Sequence, residues 1–81
     1  DNSVLSNSYA SVIAGGVGNQ LGPNADYGYI GGGQGNLVGE GAMWSAVVGG
    51  QNNTVQSNAW HSVIGGGYGN VVGEGVHYGF A

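Results

Sequence analysis

Besides tyrosine, the side chains able to do acid–base or metal chemistry number six: Asp1, Asp26, Glu40, Glu74, His61 and His77. Two carboxylates held about 6.5–9.5 Å apart are the apparatus of an inverting glycosidase. Two imidazoles with a further ligand hold zinc. Gly31-Gly-Gly-Gln-Gly35 has the glycine density of a phosphate loop, a motif that needs a strand before it and a helix N-terminus after it. The rest of the composition narrows the field. The 81 residues include no Lys, no Arg and no Cys. Without a basic side chain there is no counterion release from phosphates, so nucleic acid is a poor partner, and polybasic docking on anionic lipid is excluded. Without Cys there is neither a disulfide framework nor a thiolate zinc site. Purely apolar runs are as short as Ala46-Val47-Val48, so no segment is long enough to insert across a bilayer as a helix.

Whether the six groups meet depends on the elements that carry them, and those follow from a repeat. Asn2, Asn19, Asn36, Asn53 and Asn70 are each 17 residues apart. Val4, Leu21, Val38, Val55 and Val72 form a second column, and Ile13, Ile30, Val47 and Ile64 a third. Two adjacent glycine columns run through Gly15, Gly32, Gly49, Gly66 and Gly16, Gly33, Gly50, Gly67; a small-residue column runs through Ala25, Ala42, Ala59 and Val76. Glycine supplies 20 positions, a content that would suggest disorder in a chain without a period.

Seventeen residues are too few for a helix pair and fit one coil of a β-solenoid. Recurrent glycine and β-branched Val and Ile also disfavour helix. The predicted fold is all-β: residues 1–81 form one parallel β-roll of nearly five 17-residue coils. Each coil carries a strand around Ser11–Ala14, Gly28–Gly31, Ser45–Val48 or Ser62–Gly65. The Gly-Gly pair turns the chain, and a second short strand follows at Asn19–Leu21 and its equivalents. Alternation directs the Ile13 and Leu21 columns inward. An inward or corner Asn can bond its own turn and the next Asn above, so the five asparagines are expected to form a structural ladder along the axis.

On this framework Glu40 and Glu74 share a phase two coils apart, about 9.5 Å at β-ladder spacing. Turn positions on a narrow rod offer no enclosing cleft, and acid–base catalysis needs one. The expectation is therefore no catalytic residue and no enzyme. His61 and His77 fall in adjacent columns on neighbouring coils with no third ligand beside them, so neither a metal site nor a cofactor is expected. The recurring glycine triplets are corners, without the helix or the lysine of a phosphate loop. Asn52-Asn53-Thr54 is a formal glycosylation sequon.

The bulky residues cluster instead. One phase reads Ala10, Tyr27, Trp44, His61 and Tyr78; its neighbour reads Tyr9, Asp26, Met43, Trp60 and His77. A stripe of Tyr9, Tyr27, Trp44, Trp60, His61, His77 and Tyr78 is either a subunit interface or a platform on which sugars or apolar partners stack. The interface is favoured, because a thin roll without disulfide or metal gains little from its own core.

Ser62-Val-Ile-Gly-Gly-Gly-Tyr-Gly-Asn70 and Tyr29-Ile-Gly-Gly-Gly-Gln-Gly-Asn36 resemble repeats in YadA-like head domains of trimeric autotransporter adhesins. Similar wording occurs in repeats of phage and environmental fibre proteins. The resemblance spans Asn2 to Ala81. It implies a left-handed roll, three of which associate as a trimer, and an extracellular, cell-surface or virion-fibre location. It also implies binding to host matrix or other cells.

The functional expectation is a non-enzymatic extracellular structural or adhesive fibre module, self-assembling through aromatic columns and coil ends. The alternative is an adhesin head that binds glycan or host matrix through a solvent-facing stripe. Homo-oligomers are the expected partners, as a trimer, an axial filament or both. The axial part rests on phase: 81 residues are four short of five periods of 17, so stacked copies nearly continue one ladder from Ala81 to Asp1.

Overall fold

The computed structural model describes residues 2–4 and 8–81, and Asp1 with its terminal phase lies outside them. Nine two-residue strands follow one another without any helix among the described residues. β1 (Ser3–Val4), β3 (Gln20–Leu21), β5 (Leu37–Val38), β7 (Thr54–Val55) and β9 (Val71–Val72) make one parallel sheet in that order. β2 (Val12–Ile13), β4 (Tyr29–Ile30), β6 (Ala46–Val47) and β8 (Val63–Ile64) make the second. Every pairing joins residues 17 apart, as in Leu21 with Val38 and Val38 with Val55. The fold is a β-solenoid in which one repeat is one coil.

Backbone chemistry closes the coils. Strand amides donate to the carbonyl 16 residues ahead, as Gln20 N does to Asn36 O at 2.9 Å. Corner amides donate backwards by 18, as Gly35 N does to Val17 O at 3.0 Å. Each coil thus satisfies its donors with the coil on either side, which is how two-residue strands persist. The strands are shorter than the four-residue segments expected, because the corners begin at once. Axial bonds nevertheless continue past the strand, from Ala14 N to Ile30 O at 2.9 Å. A further row of parallel bridges, Val17 to Gln34 to Gln51 to Tyr68, forms a third ladder that the periodicity had not suggested.

The core is a stack of like residues. Leu21, Val38 and Val55 from one sheet face Ile30, Val47 and Ile64 from the other, with Ala25, Ala42 and Ala59 between them, all fully buried. The Ile13 and Leu21 columns point inward as alternation requires. At the outer coils the same columns open to solvent, with Val4 46% and Val76 42% exposed. The described residues measure 25 × 25 × 14 Å.

Of the two glycine columns, the second makes the corner. Gly16, Gly33, Gly50 and Gly67 hold φ of 90–98°, a region that L side chains avoid. In the first column Gly15 and Gly49 have an ordinary φ and a Cβ there meets nothing within 4 Å, whereas Gly32 and Gly66 hold φ of 154° and 150°.

Candidate functional site

Three corners of the coil require the left-handed conformation near φ +60°, and the residues filling them differ. One corner uses Gly18, Gly35, Asn52 and Gly69; a second uses Asn24, Gly41, Asn58 and Gly75. Glycine and asparagine are the residues that enter this region at least cost. The third corner uses Ala10, Tyr27, Trp44, His61 and Tyr78, at φ of 55–63°. Each such residue costs about 1–2 kcal/mol relative to glycine. The amides hold them in place: Tyr27 N bonds Tyr9 O at 2.8 Å, Trp44 N bonds Asp26 O at 2.9 Å, and His61 N bonds Met43 O at 3.0 Å.

With coils about 4.8 Å apart, side chains of this column meet. Tyr27 stacks on Trp44 with centroids 5.6 Å apart and planes 5° from parallel. Trp44 stacks on His61 at 5.0 Å and 0°, and His61 on Tyr78 at 5.0 Å and 8°. Tyr9, from the neighbouring column, closes the lower end edge-on to Tyr27 at 5.7 Å and 84°. In that neighbouring column Trp60 stacks on His77 at 4.7 Å and 4°. All seven stripe residues are exposed. Their faces lie against one another along the axis, so the ladder turns mainly ring edges to solvent. Each aromatic pair contributes about 0.5–1.5 kcal/mol, which offsets part of the corner strain.

The histidines serve in two separate stacks, and no group of three His, Asp or Glu gathers to hold a metal among the described residues. The carboxylates are dispersed. Asp26 Oδ1 accepts from Tyr9 N at 2.8 Å. Glu74 lines a shallow depression of about 340 Å³ with Leu37, Gly39, Thr54, Gln56 and Ser57, and its amide donates to Gln56 Oε1 at 2.9 Å. Glu40 is exposed and does not line that depression.

The asparagine column lies inside. Asn19, Asn36 and Asn53 are buried, and each amide reaches its own turn and the coil above. Asn36 Nδ2 donates to Gly32 O and Gly50 O, both at 3.0 Å, and Asn36 N donates to Asn19 Oδ1 at 2.9 Å. Asn2 and Asn70, at the outer coils, keep part of the pattern through Gly16 O at 3.0 Å and Gly66 O at 2.8 Å. Asn52 of the sequon is exposed at a corner.

A second polar relay escaped the sequence reading. Ser45 Oγ donates to Ala59 O at 2.7 Å and accepts from Ser62 N at 3.2 Å. Ser62 Oγ repeats this with Val76 O at 3.3 Å and Gly79 N at 3.1 Å. The signal was a column of Ser11, Ser45 and Ser62 interrupted by Gly28 and Gly79. Among the described residues no buried side-chain nitrogen or oxygen lacks a partner, so the interior polar groups are consumed by structure. The aromatic stripe is exposed, as are Glu40 and Glu74. No family model, curated protein or solved structure matches the chain.

Proposed function

We propose that this chain is a non-enzymatic structural module of an extracellular fibre, associating laterally through its aromatic stripe. Along the axis its coil edges continue the ladder, whether into further repeats or into another copy. One observation carries the reading: bulky exposed aromatics occupy left-handed corners where the other two corners use only glycine or asparagine. Strain retained at the surface, against the cheaper local choice, points to a role there. The buried asparagine and serine side chains are meanwhile taken up by internal ladders.

The second reading is a glycan- or matrix-binding adhesin head, and the exposure of Trp44 and Tyr78 supports it. Sugar stacking uses ring faces, however, and the faces of Trp44 and His61 are taken by their neighbours. The occupied ring faces therefore favour protein association over saccharide stacking.

Sedimentation velocity across a concentration series, with electron microscopy of the same samples, tests the proposal. Trp44→Gly removes the ring while suiting the corner, and circular dichroism checks that the coils persist. Loss of assembly in this variant, at unchanged fold, is the expected result. Assembly that survives it, combined with a glycan-array signal that does not, would transfer the stripe to the adhesin reading.

A further inference from the structure

The outward face of the β2–β4–β6–β8 sheet continues the apolar character of the stripe. Its outward column reads Val12, Tyr29, Ala46, Val63 and Phe80, with Ala46 and Val63 half-buried, and the column beyond reads Ala14, Gly31, Val48 and Gly65. Neither column holds a charge, and the carboxylates Asp26, Glu40 and Glu74 lie in other columns. Tyr27, Tyr29, Trp44, Tyr78 and Phe80 are 46, 40, 48, 78 and 80% exposed. At about 200 Å² for a whole aromatic side chain they offer on the order of 600 Å². Val12 and Val48, each about half exposed, bring the face close to the roughly 800 Å² per partner of a standard interface. A monomer's largest apolar patch is about 300–600 Å².

The face also slopes. In the three middle coils the ladder residue is bulkier than the residue four positions on, Tyr27 against Gly31, Trp44 against Val48 and His61 against Gly65, whereas the first coil pairs Ala10 with Ala14. At Gly65 there is room, since a Cβ there would meet only Ala81 O at 3.8 Å. At Gly31 the Cβ position is closed by the backbone oxygen of Val48, with the Tyr29 hydroxyl 3.1 Å away, so glycine is required there and the surface stays low.

We propose that the face is covered by a second copy of this chain, with the coil stacks parallel and level. The aromatic ladder of each copy then lies over the small-residue column of the other. The proposal rests on the lateral association argued above and adds its partner, orientation and register. Equal coil spacing in the two copies keeps Tyr27, Trp44 and His61 level with Gly31, Val48 and Gly65 of the other copy. Two faces without charge meet with no like charges opposed. Reversing one copy would set ladder against ladder and leave the two low columns facing each other across a void, forfeiting contact.

The chain has no cysteine, so single-cysteine variants report the register directly. His61→Cys and Gly65→Cys, mixed under mild oxidation, are expected to cross-link to each other several-fold more than either links to itself. His61→Cys mixed with Val48→Cys, one coil out of level, should link far less. Within one chain positions 61 and 65 are about 13 Å apart along the strand, beyond the roughly 7 Å that a disulfide spans. Should His61→Cys lose its coil signature by circular dichroism, Trp44→Cys with Val48→Cys is the equivalent level pair. Predominant self-linking of His61→Cys would establish ladder-on-ladder packing and overturn the register. Assembled protein without the level link overturns the register alone. A wild-type chain that sediments as a monomer at every concentration overturns the lateral reading as well.

Discussion

Asn36 carries more side-chain hydrogen bonding than any exposed residue among those described. Its Nδ2 faces three oxygens, Gly32 O and Gly50 O at 3.0 Å and Asn19 Oδ1 at 3.1 Å. Its Oδ1 accepts from Asn53 N at 2.9 Å and Asn53 Nδ2 at 3.2 Å. The amide therefore has one sensible orientation, since the flipped one would turn its oxygen toward two carbonyls. Aspartate has the same shape and fails for this reason: a buried carboxylate oxygen would confront three acceptors. Asn36→Asp is expected to destabilise the fold by at least about 3 kcal/mol, against about 2 kcal/mol for Asn36→Ala, which leaves partners unsatisfied without adding charge. Asn70 is only half-buried, and its Nδ2 keeps the single contact to Gly66 O at 2.8 Å. Its alanine variant should cost about 1 kcal/mol. Urea midpoints of the three variants give the order, and equal costs for Asn36→Asp and Asn70→Ala would mean that the interior ladder contributes little.

The coil itself turns on close backbone approach at its corners. Gly33 has φ +90°, and a Cβ there would lie 2.9 Å from Gly50 N and still closer to Gly50 O, both backbone atoms that cannot yield. Gly49, next to the equivalent corner residue Gly50, sits in open space at an ordinary φ. Gly33→Ala should therefore abolish or severely weaken the β signal in circular dichroism, while Gly49→Ala leaves the thermal midpoint within a few degrees. If both are tolerated, the corner lacks the rigidity that its geometry implies. The contrast marks how far the sequence alone could be read. Columns of identical residues revealed the period, the register and the inward sets, because a parallel solenoid stacks like on like. Compensation between different columns was hidden. A Cβ on Gly28 would meet Leu21 Cδ2 at 2.9 Å, so the one leucine in a valine column takes the space that serine fills in other coils. Gly35 leaves room for the side chain of Asn52 one coil above, whose Oδ1 would collide with a Cβ. The aromatic column was legible as a stripe, but not as a face-to-face stack on left-handed corners. Ring orientation depends on φ at Tyr27, Trp44 and His61, and composition is silent on φ.

At the scale of the whole molecule, stability is shared between neighbouring coils rather than held in one central core. Inner-coil residues such as Val38, Ala42 and Val47 are fully buried, whereas Val4 and Val76 in the outer coils remain open. Each coil thus has its apolar surface covered by the coil on either side, and an added inner coil brings a complete set of contacts at the cost of ordering only itself. Duplicating residues 36–52 directly after Asn52 keeps the phase of every column. It inserts another Asn, Val, Ala and Val into the interior stacks and another tryptophan between Trp44 and His61. At about 0.05–0.15 kcal/mol per residue, seventeen residues should raise the unfolding free energy by about 1–2.5 kcal/mol. The urea dependence should steepen as more surface becomes available to expose. A globular core built around one centre would be broken by such an insertion, and a chain that loses its cooperative transition would show that the coils do not add as independent neighbours. Because the stripe and the uncharged sheet face lengthen with every coil, the same variant should also self-associate at lower concentration than the parent. Greater stability without stronger association would place the growth of the fold and the growth of the interface on different surfaces.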